Sequence, residues 1–241
     1  MKDALFMNGG PGFSTITMVC LLLPLFAIVY KRKLWHNSFI SLAFCLLLLV
    51  FTSLISSGEA LFNQETISIT NTISALIQPP LVLLFLTYFT NQEQVKKSMR
   101  FTVTILIITG ILIFTRRDFQ DVAIPLVLGL GLFLVNIFSF YFFILQIKAS
   151  VTLKGQTGKA FMVSGIVFAY SCYSFIFIVN YIFNSNNRQD LFTLFEMSTF
   201  IFSFLIMLGI LLNQPAPVTV DKTVQKSGGG IKEWEGFTSY N

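Results

Sequence analysis

Seven apolar runs, most of them as long as a bilayer is thick, decide what this chain can fold into. A helix needs about 20 residues to cross ~30 Å of hydrocarbon. Lipid offers the backbone no hydrogen bonds, so each run is expected to be helical. The fourth run is short and is expected to be tilted or to extend beyond its apparent bounds. The sequence therefore predicts an all-α integral membrane protein, a bundle of seven transmembrane helices. The runs lie at approximately 13–30, 38–57, 70–90, 101–115, 122–146, 160–183 and 191–212.

The composition supports a membrane location. Of the 241 residues, 54% are hydrophobic and 11% are charged, whereas soluble domains carry about 25% charged residues. So large a deficit of charge indicates that most of the surface does not meet water. The three cysteines, Cys20, Cys45 and Cys172, all fall within apolar runs. They are expected to be free thiols that pack as small hydrophobic side chains.

Side chains with catalytic or metal-binding chemistry are scarce. The single histidine, His36, lies beside a basic turn, and no group of His, Cys and carboxylate residues has metal-ligand spacing. The sequence contains no phosphate-binding or dinucleotide-binding fingerprint, and no Ser–His pairing lies within the apolar runs. It therefore predicts a protein that is not an enzyme and that binds neither a metal nor a nucleic acid.

Lys and Arg are divided unequally between the two sets of loops. The N-terminus and three loops hold four of the sixteen, and the other three loops with the C-terminal tail hold twelve. Positive charge accumulates on the cytoplasmic side of membrane proteins. The N-terminus is therefore predicted to lie outside and the C-terminus in the cytoplasm, in the cytoplasmic (inner) membrane of a bacterium. We expect an extracytoplasmic segment at residues 1–12, the bundle at 13–212 and a cytoplasmic tail at 213–241.

One carboxylate, Glu196, lies inside the apolar runs, and none of them contains Asp, Lys, Arg or His. A carboxylate at bilayer depth costs a few kcal/mol, and such residues usually face the bundle interior and often mark function. Gln78, Asn180 and Tyr181 are expected at a similar depth, toward the outer face. One hypothesis is an outward-facing ligand pocket lined by these four residues. The alternative is that Glu196 snorkels outward or is protonated, and that the other polar groups only hold helices together.

The pair Pro79–Pro80 interrupts the third run. Each proline removes a backbone donor, and its ring clashes with a preceding carbonyl. A helix kink is therefore predicted here, leaving carbonyls of the preceding turn free to accept from Gln78, water or a ligand. A purely architectural kink is the alternative.

The segment "ALIQPPLVLLFLTYFTNQEQVKKSMR" resembles the third helix of the seven-helix sensory regions found at the N-terminus of many bacterial histidine kinases and related signalling proteins. That resemblance implies a sensory bundle. No kinase, cyclase or DNA-binding domain follows the last apolar run in this sequence, so a signal would have to pass to a separate protein. The residues that carry the resemblance are Pro79, Pro80, Leu81, Phe85, Tyr88 and Thr90.

Seven helices with the N-terminus outside also invite comparison with microbial rhodopsins. That family binds retinal through a Schiff-base lysine in its last helix, four residues after an acid. Here Phe200 stands four residues after Glu196, and no lysine lies in any apolar run. Covalent retinal is therefore excluded, and no cofactor is predicted.

The tail contains a glycine-rich joint, "SGGG", followed by "IKEWEGFTSYN". Its aromatic residues, Trp234, Phe237 and Tyr240, are of the kind that fill grooves on protein partners. Docking to a partner at the cytoplasmic face is one interpretation. The alternative is a disordered end whose aromatic residues touch the lipid interface.

Three functions are compatible with these features. The leading hypothesis is a small sensory or receptor-like module that signals to a separate protein. The alternative is an accessory or structural subunit of a larger membrane complex, docked through its tail. An ion- or proton-coupled transporter that uses Glu196 is the third, although the sequence shows no internal repeat and little intramembrane charge.

Overall fold

The computed structural model describes residues 11–31, 36–57, 63–115, 120–152, 157–183 and 188–213. These residues form seven α-helices, with a single 3-10 turn at Thr87–Phe89 after the third and a π-helical turn at Ile178–Ile182 after the sixth. The helices are α1 (Pro11–Tyr30), α2 (Asn37–Ser57), α3 (Gln64–Leu86), α4 (Glu93–Thr115), α5 (Gln120–Thr152), α6 (Thr157–Phe177) and α7 (Arg188–Leu212).

Five of these helices contain stretches long and apolar enough to cross a membrane. A sixth stretch, Ile16–Tyr30 in α1, is apolar but shorter. The all-helical prediction is therefore confirmed, and the chain is a multi-pass membrane protein. The orientation of its termini stays a prediction. The five long stretches are Asn37–Ile55, Ile69–Phe89, Ile124–Val151, Thr157–Tyr181 and Thr193–Leu212.

Three helices extend six or more residues beyond their apolar runs. One is α3, which begins at Gln64, six residues before the predicted run. α4 begins at Glu93, eight residues before the predicted run, because the polar segment that holds Lys96, Lys97 and Arg100 is also helical. α5 ends at Thr152, six residues beyond its predicted end. The residues added to α4 are mostly charged or polar, and those added to α5 alternate apolar and polar side chains, so hydropathy marks the ends of both helices poorly.

The helices pack in a ring that follows chain order. α1 packs on α2, α2 on α3, α5 on α6, and α6 on α7, and α7 returns to α1. α3 contacts α5 directly, and α4 packs against both of them. Short connections place the ends of α1, α3, α5 and α7 beside the starts of α2, α4 and α6. We call this side of the bundle the basic end, since Lys31, Lys96 and Lys148 lie there.

Helices α6 and α7 lie backbone to backbone where Gly158 faces Gly209. A Cβ built on Gly158 would lie 2.5 Å from the backbone nitrogen of Asn213 and 2.6 Å from the carbonyl oxygen of Gly209. A Cβ on Gly209 would lie 2.7 Å from the carbonyl oxygen of Gly158. Small residues let membrane helices pack backbone to backbone. This crossing therefore depends on the two glycines.

Candidate functional site

A cavity of about 40 Å³ lies between α3, α5, α6 and α7, in the half of the bundle away from the basic end. One water needs roughly 10–15 Å³ of such space, so the cavity has room for about three waters or a ligand of similar size. None of its lining residues is charged. They are Ala75, Gln78, Pro79, Leu128, Leu132, Tyr170, Tyr173, Ile176, Phe177 and Phe195.

The α3 wall of the cavity carries hydrogen-bond acceptors. The Nε2 of Gln78 donates to the hydroxyl of Ser74 at 2.9 Å, and no described residue donates to its Oε1. Pro79 has no N–H, so the carbonyl of Ala75 lacks the donor that an ordinary helix would supply. Ala75 and Gln78 both line the cavity. The prolines thus leave acceptors in the helix wall beside the cavity, while the predicted kink stays a prediction.

The opposite wall is aromatic. The hydroxyls of Tyr173 and Thr199 lie 2.8 Å apart. Because Thr199 donates to the carbonyl of Phe195 at 2.8 Å, Tyr173 is the donor in that pair. The ring centroids of Tyr173 and Phe195 lie 5.1 Å apart. These contacts fix the Tyr173 side chain between α6 and α7.

The hydroxyl of Tyr170, unlike that of Tyr173, has no hydrogen-bond partner among the described residues. Tyr170 is 3% exposed and lines the cavity. Its ring centroid lies 5.4 Å from that of Tyr173, but its hydroxyl makes no hydrogen bond within the described part of the chain. The Tyr170 hydroxyl is therefore open to a partner that enters the cavity.

Of the four residues predicted to line a pocket, Gln78 alone lines this cavity. Glu196 is buried, with 4% of its surface exposed. It lies seven residues before Ser203, on the same side of α7. Ser203 donates to the carbonyl of Cys20 in α1, so Glu196 lies on the side of α7 that faces α1. Its neighbour Phe195 points to the cavity instead.

Asn180 and Tyr181 lie in the π-helical turn at the end of α6. Tyr181 is 39% exposed, and its ring centroid lies 4.9 Å from that of Phe177. Neither residue lines the cavity. The structure therefore separates the four predicted residues, and a ligand-binding role for Glu196, Asn180 and Tyr181 stays a prediction.

At the basic end, Tyr88 is held by residues from three other helices or their flanks. Its hydroxyl accepts from the Nδ2 of Asn213 at 2.8 Å. Its ring centroid lies 5.1 Å from that of His36 and 4.9 Å from that of Phe39. The ammonium of Lys159 lies 5.3 Å from the ring centroid. We call this set the Tyr88 contact.

The rest of the 3-10 turn is fixed in the same way. The Nε2 of Gln146 in α5 donates to the carbonyl of Phe89 at 3.3 Å. The hydroxyls of Ser38 in α2 and Thr87 lie 3.2 Å apart. The end of α3 is therefore joined to α2, α5, α6 and the residue after α7.

Helix α3 connects the cavity to the Tyr88 contact. Pro79 lines the cavity, and Tyr88 follows it by nine residues, about 13 Å along a helix. Pro79 and Pro80 lie inside α3, which continues to Leu86. A displacement of the helix at the cavity would therefore reach the basic end within two and a half turns.

Of the residues predicted from the sequence, Gln78 and Pro79 line the cavity. Tyr170, Tyr173, Lys159 and Asn213 were not among the predicted residues. The two tyrosines stand in an apolar run where nothing in the sequence shows which way they face. The predicted partner-binding residues, Trp234, Phe237 and Tyr240, lie outside the described residues, as does the rest of the tail after Asn213.

Comparisons of the chain with protein-family models, with curated proteins and with solved structures found no match. Among the described residues, no group of three or more His, Cys, Asp and Glu side chains is placed to hold a metal ion. In this multi-pass membrane protein, helix α3 joins the cavity to the Tyr88 contact.

Proposed function

We propose that the chain is a small sensory or receptor-like module of a bacterial cytoplasmic membrane. A small molecule enters the cavity, shifts α3 and changes the Tyr88 contact, and the altered basic end signals to a separate protein. The observation that carries the proposal is that α3 supplies both the proline-interrupted wall of the cavity and Tyr88.

The charge distribution supports this direction of signalling. The basic end lies on the cytoplasmic side if the excess of Lys and Arg there follows the usual rule for membrane proteins. The cavity then lies in the outer half of the bundle, where a molecule from outside would reach it. The resemblance of α3 to the third helix of bacterial sensory regions points the same way.

The interactions that form the Tyr88 contact are individually weak, so the binding free energy of a ligand is large enough to change them. A hydrogen bond such as that from Asn213 to Tyr88 contributes about 0.6 kcal/mol in a membrane protein. The contact of Lys159 with the Tyr88 ring contributes about 0.5–1 kcal/mol. A ligand shifts a two-state equilibrium only by its difference in affinity for the two states. A difference of about 1.4 kcal/mol, tenfold in affinity, is therefore comparable to the Asn213 hydrogen bond and the Lys159 contact taken together.

The test uses the purified protein and a small-molecule extract of the cells that produce it. The extract is expected to raise the unfolding temperature of the wild-type protein, because a ligand that binds only the folded state stabilises it. Ala75→Leu and Leu128→Phe each place extra carbon atoms in the cavity, and the shift is expected to disappear in both variants.

Ala149→Leu is the matched control, since Ala149 lies on α5 and does not line the cavity. It is expected to respond as the wild-type protein does. An extract that stabilises none of the proteins, or that stabilises the filled variants as much as the wild type, would contradict sensing at this cavity.

A further inference from the structure

We infer that the cavity takes a small neutral molecule with a hydroxyl group and a short apolar body, of the class of short-chain alcohols. This inference deepens the proposed function and rests on it. Three observations carry it: the polar groups left unpaired at the cavity, the lack of charge in its lining, and its volume.

The unpaired polar groups call for a partner that both donates and accepts. The Tyr170 hydroxyl has no hydrogen bond within the described residues and can donate to a ligand oxygen. The Oε1 of Gln78 and the carbonyl of Ala75 can accept from a ligand O–H. Tyr173 donates to Thr199, so its own proton is already used. A hydroxyl group satisfies a donor and an acceptor at the same time, and an ether or a halide does not.

The rest of the lining selects against charge and against size. The lining residues of the described structure include no charged side chain, and an ion buried without a partner is strongly disfavoured. The aromatic and aliphatic walls match a short alkyl group. A volume of about 40 Å³ limits the ligand to a few heavy atoms. The best small ligands gain about 1.5 kcal/mol of binding free energy per heavy atom. A ligand of about four heavy atoms therefore has a Kd no lower than tens of micromolar, on the order of that limit.

The test compares 1-propanol with ethyl methyl ether, which has the same number of heavy atoms and no donor. Binding to the purified full-length protein is measured by ligand-detected NMR. 1-Propanol is expected to bind with a Kd of roughly 0.1–1 mM, at least about tenfold tighter than the ether. Tyr170→Phe and Gln78→Met are each expected to weaken 1-propanol binding about tenfold. Gln78→Met should leave ether binding unchanged, because the ether has no O–H to donate. Tyr170→Phe should weaken ether binding as well, because the ether oxygen also accepts from the Tyr170 hydroxyl.

The chain offers matched controls for both substitutions. Tyr30→Phe and Gln92→Met remove the same groups at exposed positions away from the cavity, and both are expected to bind 1-propanol as the wild type does. The inference is overturned if the wild type binds the two probes equally or binds neither, or if both cavity variants keep wild-type affinity for 1-propanol. In that case the cell extract could still raise the unfolding temperature of the wild type and fail to raise that of Ala75→Leu. The sensing function would then hold and the alcohol class would be wrong.

Discussion

Gly209→Ala is expected to lower the free energy of unfolding by about 3 kcal/mol, at the upper end of what overpacking costs. The new Cβ would lie 2.7 Å from the carbonyl oxygen of Gly158, a backbone atom that cannot rotate away. It would also meet the Met162 side chain. α6 and α7 would have to separate, and the crossing that also positions Asn213 would be lost. The measurement is reversible unfolding of the purified protein in mixed micelles.

Gly110→Ala provides the control. Gly110 lies in α4, and a Cβ built there meets nothing within 4 Å. Alanine is a better helix former than glycine by roughly 0.5–1 kcal/mol, so this variant is expected to be as stable as the wild type or slightly more stable. Equal losses at Gly209 and Gly110 would contradict this prediction, because they would show that the effect does not come from the close crossing of α6 and α7.

Glu196→Met is expected to raise the free energy of unfolding by about 2 kcal/mol, in line with the cost of an acidic side chain within a membrane. Glu196 is buried and makes no hydrogen bond or ion pair within the described part of the chain. Methionine has a similar length and a similar helix propensity, and it removes the desolvation of the carboxyl group. A residue that destabilises the fold around it is a candidate for a functional role.

Glu93→Met serves as the comparison. Glu93 lies at the start of α4 in an exposed ion pair, with its Oε1 3.4 Å from the ammonium of Lys96. Such pairs contribute about 0–1 kcal/mol, so this change is expected to leave stability unchanged or slightly lower. The prediction would be contradicted if Glu196→Met lowered the free energy of unfolding, as the loss of a buried hydrogen bond would.

Much of the fold follows from the sequence, because the lipid solvent leaves few alternatives. A run of about 20 apolar residues must satisfy its backbone internally, and a helix does so. The ends of the helices were less predictable. α4 begins at Glu93 because charged and polar residues continue it, and α5 extends to Thr152 through alternating apolar and polar residues.

The sequence indicated the position of the cavity only through residues that change the backbone itself. Pro79 and Pro80 mark freed carbonyls wherever they occur in a helix, and the cavity lies beside them. Glu196 was expected to share a pocket with Gln78, but it lies on the side of α7 that faces α1. Depth can be read from position in a run, whereas the direction in which a side chain points depends on how the helices pack.

The same limit explains why Tyr170 and Asn213 were missed. Tyr170 is one of several aromatic residues in an apolar run, and its role depends on a cavity made by four helices. Asn213 follows the last run directly, a position typical of interfacial residues. Its contact with Tyr88 joins residues 125 positions apart in the chain.

The most direct test of the central claim is the distance between two spin labels at the basic end. Labels are placed at Lys31→Cys and Lys97→Cys, in a chain whose three native cysteines are replaced by alanine. If α3 transmits occupancy of the cavity, Ala75→Leu should shift the distance between the labels by about 2 Å, the size of known helix shifts. Ala149→Leu should leave it unchanged. Identical distance distributions in the wild-type, Ala75→Leu and Ala149→Leu proteins would contradict transmission through α3.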